Sequence, residues 1–146
     1  MKKLSGKNNI LELYHHSSFN LYISTSNILN SGLGVFTNSF IPKDTYIDSY
    51  YGEYIEGFPG GEYFFRIDHD GGINAINTPR CYMAMLNDAS YRPSSKRGLR
   101  KFVEHNYKNN CYFKNNIEDK KVEVYSLIDL HPGTELFISY GDDYWK

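Results

Sequence analysis

Cysteine is scarce in this sequence, and the two that occur, Cys81 and Cys111, stand apart without a CxxC pair. A structural zinc site of the common cysteine type needs about four clustered ligands, so the ligand count excludes one here. We therefore expect no metal. Two unclustered cysteines are also typical of a reducing compartment, in which thiols stay free.

Long apolar runs are missing as well. No window approaches the roughly 18 consecutive apolar residues that a membrane span needs. The charged start of the chain is not followed by the apolar stretch of a signal peptide. The sequence therefore predicts a soluble intracellular protein with no membrane partner.

The chain also lacks an excess of charge of one sign, because 16 Lys and Arg stand against 17 Asp and Glu. A net charge of −1 provides no general attraction to nucleic acid. Residues 90–108 are a local exception, which we interpret as a basic insertion. A nucleic-acid-binding role for it is an alternative, but no recognition motif accompanies it, so no specific nucleic-acid site is predicted. Its basic residues are Arg92, Lys96, Arg97, Arg100, Lys101 and Lys108.

Aromatic residues are abundant, with 14 Tyr and nine Phe against a single Trp. Rings favour strands and line binding sites. From Leu21 onward, short apolar segments are separated by Gly, Pro and Asn, which is typical of a β-rich domain. A length of 146 residues suits a single domain over 1–146, in which residues 1–20 form an N-terminal arm or an extra strand.

Helix is predicted at one place only, Arg80 to Leu86, with Pro79 in its first turn and Thr78 as its N-cap. His69 to Gly72 is predicted to be a turn. The predicted strands include Leu21–Ile23, Gly34–Phe36, Thr45–Tyr51, Glu53–Ile55, Tyr63–Asp68, Lys121–Ile128 and Glu135–Tyr140.

Short motifs follow one another along the chain. Gly32-Leu33-Gly34 precedes an apolar strand, but it lacks the third glycine and the helix of a dinucleotide-binding fingerprint. Gly52, within Tyr50-Tyr51-Gly52-Glu53, interrupts a strand pattern and predicts a bulge or a close backbone approach. The remaining motifs are Asn87-Asp88-Ala89, Asn110-Cys111, Gly133-Thr134-Glu135-Leu136 and Ser139-Tyr140-Gly141.

Taken in order, these motifs resemble those of the SET-domain lysine methyltransferases, which read GxG, YxGE, NHS, a PNC element, a GEEL-like turn and a final YG. The resemblance covers about Leu21 to Trp145. The end of the chain, Ile138 to Trp145, looks like the minimal SET domains of large DNA viruses. Such domains also lack the cysteine-rich zinc modules that flank other members.

The resemblance implies a mainly β SET-domain fold of several small sheets with little helix. Its C-terminal segment would pass beneath a loop as a pseudoknot, an exception to the rule that chains avoid threading. It also implies S-adenosylmethionine as cofactor, with S-adenosylhomocysteine as product, and a basic protein or histone tail as substrate. A homodimer is left open. The implied location is a host nucleus if the protein is viral and acts on histones, and otherwise the cytoplasm.

By the same resemblance, Tyr140 is the catalytic tyrosine and Tyr63 the second tyrosine of a substrate channel. Ile138 and Tyr144 would line that channel. The implied cofactor-binding residues are Gly32, Leu33, Gly34, Asn87, Asp88, Tyr140 and Trp145. Methyl transfer needs a neutral lysine amine, and a dry aromatic channel beside a positive sulfonium lowers the amine pKa from its ordinary value near 10.4.

Asp88 departs from the family pattern, because it stands where the NHS motif has histidine. It places a negative charge where a ring is expected. An alternative reading is therefore an inactive SET-like scaffold that binds a peptide or a partner. The presence of Tyr140, Asn87 and the GxG motif argues against that alternative, since a scaffold needs none of them.

Overall fold

The computed structural model describes residues 13–61, 63–76, 80–90 and 105–141. Within these ranges the chain forms short strands and a single 3₁₀ helix, Tyr82–Met85. No helix in these ranges combines the length and the hydropathy that crossing a membrane would require. The strands are β1 Leu13–Tyr14, β2 Leu21–Thr25, β3 Leu33–Thr37, β4 Tyr46–Ser49, β5 Glu53–Glu56, β6 Phe64–Arg66, β7 Gly71–Asn74, β8 Arg80–Cys81, β9 Cys111–Asn116, β10 Lys121–Ser126 and β11 Thr134–Glu135.

Most of these strands pair in small antiparallel sheets. The orders are β4-β10-β9, β11-β3-β2 and β5-β7-β6, and a fourth, two-stranded sheet joins β1 to β8 in parallel. The predicted mainly β architecture of several small sheets with little helix is confirmed. Residues 13 and 14, within the predicted arm or extra strand, form a strand, whereas residues 1–12 lie outside the described ranges.

Alternating side chains explain why β10 forms at the centre of its sheet. Val122, Val124 and Ser126 are fully buried, while Lys121 is exposed and Glu123 and Tyr125 are only partly buried. This period of two is the pattern of a half-buried strand. Main-chain pairing ends at Ser126, two residues before the predicted end.

The helix prediction over Arg80–Leu86 is wrong at its start. Arg80 and Cys81 are extended and pair with Leu13 and Tyr14 of β1, so only Tyr82–Met85 is helical. Cys81 occupies the N-cap in an extended conformation and makes no side-chain capping hydrogen bond. The predicted cap residues, Thr78 and Pro79, lie outside the described residues.

The turn predicted over His69–Gly72 is half wrong, because Gly71 and Gly72 begin the central strand β7. A Cβ atom on Gly71 would overlap the carbonyl oxygen of Ile55, and one on Gly72 would overlap that of Phe65. The glycines therefore allow two neighbouring backbones to approach β7 closely. Gly52 serves the same purpose, since a Cβ there would overlap the carbonyl oxygen of Asn74. The predicted close backbone approach at Gly52 is confirmed.

The strand predicted over Glu135–Tyr140 is divided between partners. Thr134–Glu135 pairs with β3, whereas Phe137 bridges in parallel to Asn87 and Ile138 bridges in parallel to Cys111. The segment therefore lies between two stretches of chain that precede it, as the predicted pseudoknot requires. Among the described residues, the larger of two clusters of buried side chains joins the sheets around this segment, with members that include Val35, Ile47, Ile73, Met83, Val124, Leu136 and Ile138.

Candidate active site

Asn87 lies two residues after the end of the 3₁₀ helix and is almost completely buried. Its Nδ2 donates to the carbonyl oxygen of Leu33 at 3.0 Å and lies 3.4 Å from Glu135 Oε2. Because both partners are acceptors, the amide orientation is fixed and Oδ1 points the other way. No described residue donates a hydrogen bond to Asn87 Oδ1. That oxygen is a polar acceptor available to a ligand beside the GxG motif.

Glu135 is the buried carboxylate of this region. Its Oε2 accepts from Ser26 Oγ at 2.8 Å, and its Oε1 accepts from the Asn27 backbone N–H at 2.7 Å. A Cβ atom on Gly34 would overlap Oε2 and lie 2.9 Å from Cδ of the same side chain. The second glycine of the motif therefore makes room for Glu135, which in turn orders the Ser26–Asn27 backbone.

The first glycine of the motif closes a loop. Gly32 has φ +68, a conformation that glycine adopts without strain. Its carbonyl oxygen accepts from the Ser26 backbone N–H at 2.8 Å. Gly32, Leu33 and Gly34 thus pass directly beside Asn87, and the structure brings these four predicted cofactor-binding residues together.

Tyr140 is held at two points by the segment that contains Asn87. Its hydroxyl donates to the carbonyl oxygen of Leu86 at 2.6 Å, and its backbone N–H donates to Asp88 Oδ2 at 2.8 Å. The ring is half-buried and packs against the main core. The hydrogen bond to Leu86 therefore fixes the phenol oxygen beside the backbone that leads to Asn87.

Asn110 secures the C-terminal segment from the other side. Its Oδ1 accepts from the Phe137 backbone N–H at 2.8 Å, and its Nδ2 donates to the Glu135 carbonyl oxygen at 2.9 Å. The side chain is buried, so its amide replaces the main-chain partners that a regular strand would have. Asn110, in the element that resembles PNC, therefore holds the backbone of the segment that leads to Tyr140.

Tyr63 has a cationic neighbour. The guanidinium carbon of Arg80 lies 4.3 Å from the centre of the Tyr63 ring, and Arg80 Nη1 donates to the Tyr63 hydroxyl at 3.3 Å. The backbone of Tyr63 is tied to Ala75, whose N–H donates to the Tyr63 carbonyl oxygen at 2.8 Å. These contacts place Tyr63 beside the β5-β7-β6 sheet, and its role in a substrate channel stays a prediction.

The remaining predicted site residues divide into two groups. Ile138 is fully buried in the main core, two residues before Tyr140. Tyr144 and Trp145 lie outside the described residues, so their predicted places in the channel and against the cofactor stay predictions.

The sequence motifs did not identify Glu135 as a site residue, nor its partner Ser26. A signal was present, because Glu135 is an acid that opens the apolar run Leu136-Phe137-Ile138. A carboxylate in such a run is buried only when donors satisfy it. Ser26 carried no signal, since 109 residues separate it from Glu135.

The fold and the grouping of motifs define a class of protein. Residues 32–141 match the family model of the SET domain, and the chain belongs to this family. The predicted family resemblance is confirmed.

Particular members of the family are also similar to the chain. It is 30% identical over 115 residues to the histone-lysine N-methyltransferase, H3 lysine-36 specific, of Schizosaccharomyces pombe. That similarity covers 77% of this chain but only 14% of the relative, so the chain spans about a seventh of the relative's length.

Solved structures show the same fold at lower identity. KRYPTONITE, in a complex with mCHH DNA, an H3(1-15) peptide and SAH, has a TM-score of 0.63 and 21% identity, over 86% of this chain and 24% of that one. The methyltransferase domain of human PR domain-containing protein 2 has a TM-score of 0.60 and 15% identity, over 84% of this chain and 77% of that one.

Proposed function

We propose that this chain is an S-adenosylmethionine-dependent protein-lysine N-methyltransferase. The observation that carries the proposal is the convergence of three separated motifs. The GxG backbone, the Asn87 amide and the Tyr140 hydroxyl are joined by hydrogen bonds through Leu33 and Leu86, inside a SET domain. Catalytic activity, cofactor and substrate are all part of the proposal.

The residues present fit the amino-acid end of S-adenosylmethionine. An α-ammonium group needs acceptors, and Asn87 Oδ1 offers one that no described residue uses. The backbone of Gly32, Leu33 and Gly34 would hold the same end, and Trp145 would cover the adenine. The bound cofactor supplies a methyl group on a positive sulfonium.

Tyr140 would do the work of orientation. Its hydroxyl is held 2.6 Å from the Leu86 carbonyl oxygen, and a phenol oxygen fixed in this place would orient the incoming lysine amine by accepting a hydrogen bond from it. The amine must be neutral, and transfer from water into a site walled by aromatic rings lowers its pKa. Alignment of amine and methyl group in such a site can supply roughly 7–11 kcal/mol of the barrier.

We further propose a histone or another basic protein tail as the substrate. The Schizosaccharomyces pombe relative is named for lysine 36 of H3, and the KRYPTONITE complex contains an H3 peptide. Action on histones would place the protein in a nucleus. The resemblance to minimal viral domains and a homodimeric state stay predictions.

The inactive-scaffold alternative depended on the charge of Asp88. In the structure that carboxylate accepts a hydrogen bond from the backbone of Tyr140. The charge therefore has a place in the proposed site, which supports the enzyme rather than the scaffold.

Calorimetry with S-adenosylmethionine tests the proposal. We expect binding by the wild-type chain and a Kd at least tenfold higher for Asn87→Ala, because losing a hydrogen bond to a charged group costs about 1.5–3 kcal/mol. Asn115→Ala is the matched control, since Asn115 also donates its amide to a backbone carbonyl, that of Ile67. Labelled methyl donor and basic proteins then test transfer.

Two results would contradict the proposal. One is the absence of binding heat at millimolar cofactor with folded protein. The other is cofactor binding without methyl transfer to any histone or basic protein, which would favour the scaffold.

A further inference from the structure

The Asp88 carboxylate joins two separate stretches of backbone. One oxygen, Oδ2, accepts from the Tyr140 backbone N–H at 2.8 Å. The other, Oδ1, accepts from the Ser90 backbone N–H at 2.8 Å and from Asn109 Nδ2 at 3.1 Å. At least three donors, all from described residues, therefore converge on this one side chain.

Asn109 closes this group of contacts. Its Nδ2 also lies 2.8 Å from Ser90 Oγ, and its Oδ1 accepts from the Ala89 backbone N–H at 2.8 Å. Asp88 is thus held by its neighbours in the chain and by a residue 21 positions away. A carboxylate with satisfied donors on both oxygens has a single well-defined orientation.

The same stretch of chain supplies further acceptors to the segment around Tyr140. The Asn87 carbonyl oxygen accepts from the Ile138 backbone N–H at 2.9 Å, and the Leu86 carbonyl oxygen accepts from the Tyr140 hydroxyl at 2.6 Å. Asp88 adds the contact to the Tyr140 backbone. Three consecutive residues therefore each fix one point of the chain between Ile138 and Tyr140.

We propose that Asp88 is a positioning residue, whose carboxylate sets the backbone at Tyr140 and thereby the place of the phenol oxygen. The inference rests on the proposed methyltransferase function. A neutral imidazole has one acceptor nitrogen, so the histidine of the family motif could replace only one of the bonds that this carboxylate accepts. The departure from the motif is accordingly part of how this site is built.

Asp88→Asn is the first test. The amide keeps one acceptor oxygen and turns an NH₂ group toward a donor, so the contact to Tyr140 or the contacts to Ser90 and Asn109 must break. We expect kcat to fall about 10- to 100-fold, because a displacement on the order of 1 Å at a reacting group has that effect. The Kd for S-adenosylmethionine and the KM for peptide should change less than about threefold.

Amide hydrogen exchange measures the hydrogen bond between the Tyr140 backbone N–H and Asp88 without depending on catalytic activity. We expect the Tyr140 amide, followed by NMR in the full chain, to exchange at least tenfold faster in Asp88→Asn. Asp129→Asn is the matched control, since Asp129 accepts a 2.8 Å hydrogen bond from the Lys43 backbone N–H. It should leave kcat and the Tyr140 exchange rate unchanged. Asp88→Ala serves as a second variant if Asp88→Asn does not fold.

The outcomes separate the two proposals. Faster Tyr140 exchange with a lower kcat at unchanged KM supports the inference. Unchanged exchange overturns it, and so does faster exchange with unchanged kcat. A wild-type chain that transfers no methyl group overturns the proposed function, and the positioning role fails with it even if the exchange rate responds.

Discussion

Ile138, two residues before Tyr140, offers a side chain without a hydroxyl. In the methyltransferases that the sequence resembles, this position is often Tyr or Phe and governs how many methyl groups are added. A tyrosine hydroxyl there holds a water or restrains the amine. An aliphatic wall does neither, so a methylated amine can lose its water and rotate to react again. We predict that the wild-type chain forms di- or trimethyllysine, seen by mass spectrometry over a long time course.

The variants Ile138→Tyr and Ile138→Phe separate the hydroxyl from the added bulk. Both enlarge a fully buried side chain, which costs roughly 1–3 kcal/mol of stability. Only the tyrosine should shift the product toward monomethyllysine, and each variant must be shown to be folded. A wild-type product that stops at one methyl group while the enzyme remains active contradicts the prediction.

Single residues of the site were predictable where a motif marks them. Asn87 and Tyr140 were predicted in this way, and in the structure the Tyr140 hydroxyl donates to the carbonyl oxygen of Leu86, the neighbour of Asn87. Asp88 was predicted as a cofactor-binding residue that places a charge where the family has a ring, and no local pattern shows that its carboxylate accepts from the backbone of a residue 52 positions later. Glu135 was missed for the same reason, since its donor Ser26 is 109 positions away.

At the scale of elements, a substitution of Gly52 tests whether β5 must lie as close to β7 as the structure shows. A Cβ there would overlap the Asn74 carbonyl oxygen and lie 2.8 Å from Ile73 Cγ2. Gly52→Ala must therefore push β5 away from β7, and we expect a loss of roughly 1–3 kcal/mol in the free energy of unfolding. Urea denaturation measures the loss.

Glu53→Ala is the control for this glycine, because Glu53 is the next residue and is exposed. A surface change of this kind is expected to stay within about 0.5 kcal/mol. Equal stability of Gly52→Ala and the wild type would show that the strands can separate at no cost.

Strands were predictable where one face alone is buried. β10 alternates clearly and was found, whereas β9 was missed because its exposed residues Lys114 and Asn115 stand together. β7 was mistaken for a turn because Gly71 and Gly72 carry no side chains to show a period. Its pairing depends on close neighbours in β5 and β6, which a local pattern does not contain.

At the scale of the whole molecule, the candidate site depends on contacts between residues that are far apart in the sequence, so it forms only when the domain is folded. Asn87 and its acceptor Leu33 are 54 positions apart, as are Tyr140 and Leu86. Such non-local contacts require the closure of long loops, which costs conformational entropy. The class of fold could be predicted from the order of motifs, but the partners within the site depended on the three-dimensional path of the chain.

Buried acidic groups are a second property of the whole molecule. Burial raises the pKa of the Cys81 thiol to about 11, and burial also raises the pKa of the Cys111 thiol and of the Tyr50 and Tyr51 phenols. Desolvation is the largest cause in each case, because the charged form is poorly solvated inside the domain. In the unfolded chain these groups return to ordinary values, near 8.5 for a thiol and 10 for a phenol.

These raised pKa values predict a loss of stability in alkali. Above about pH 8.5 the unfolded chain releases thiol protons that the folded chain retains, so the free energy of unfolding falls as pH rises. The contribution of Cys81 is complete below that pH and is lost as pH rises through about 11, and the phenols add to the fall above about pH 10. Urea unfolding followed by circular dichroism at pH 7–11 measures the slope, and absorbance at about 295 nm should show tyrosinate appearing together with unfolding.

The double variant Cys81→Ala/Cys111→Ala is expected to flatten the slope between about pH 9 and 10 despite its lower stability. Salt should not abolish the difference between variant and wild type, because it screens surface repulsion far more than desolvation. An identical slope in the double variant would show that the thiols do not control stability in this range.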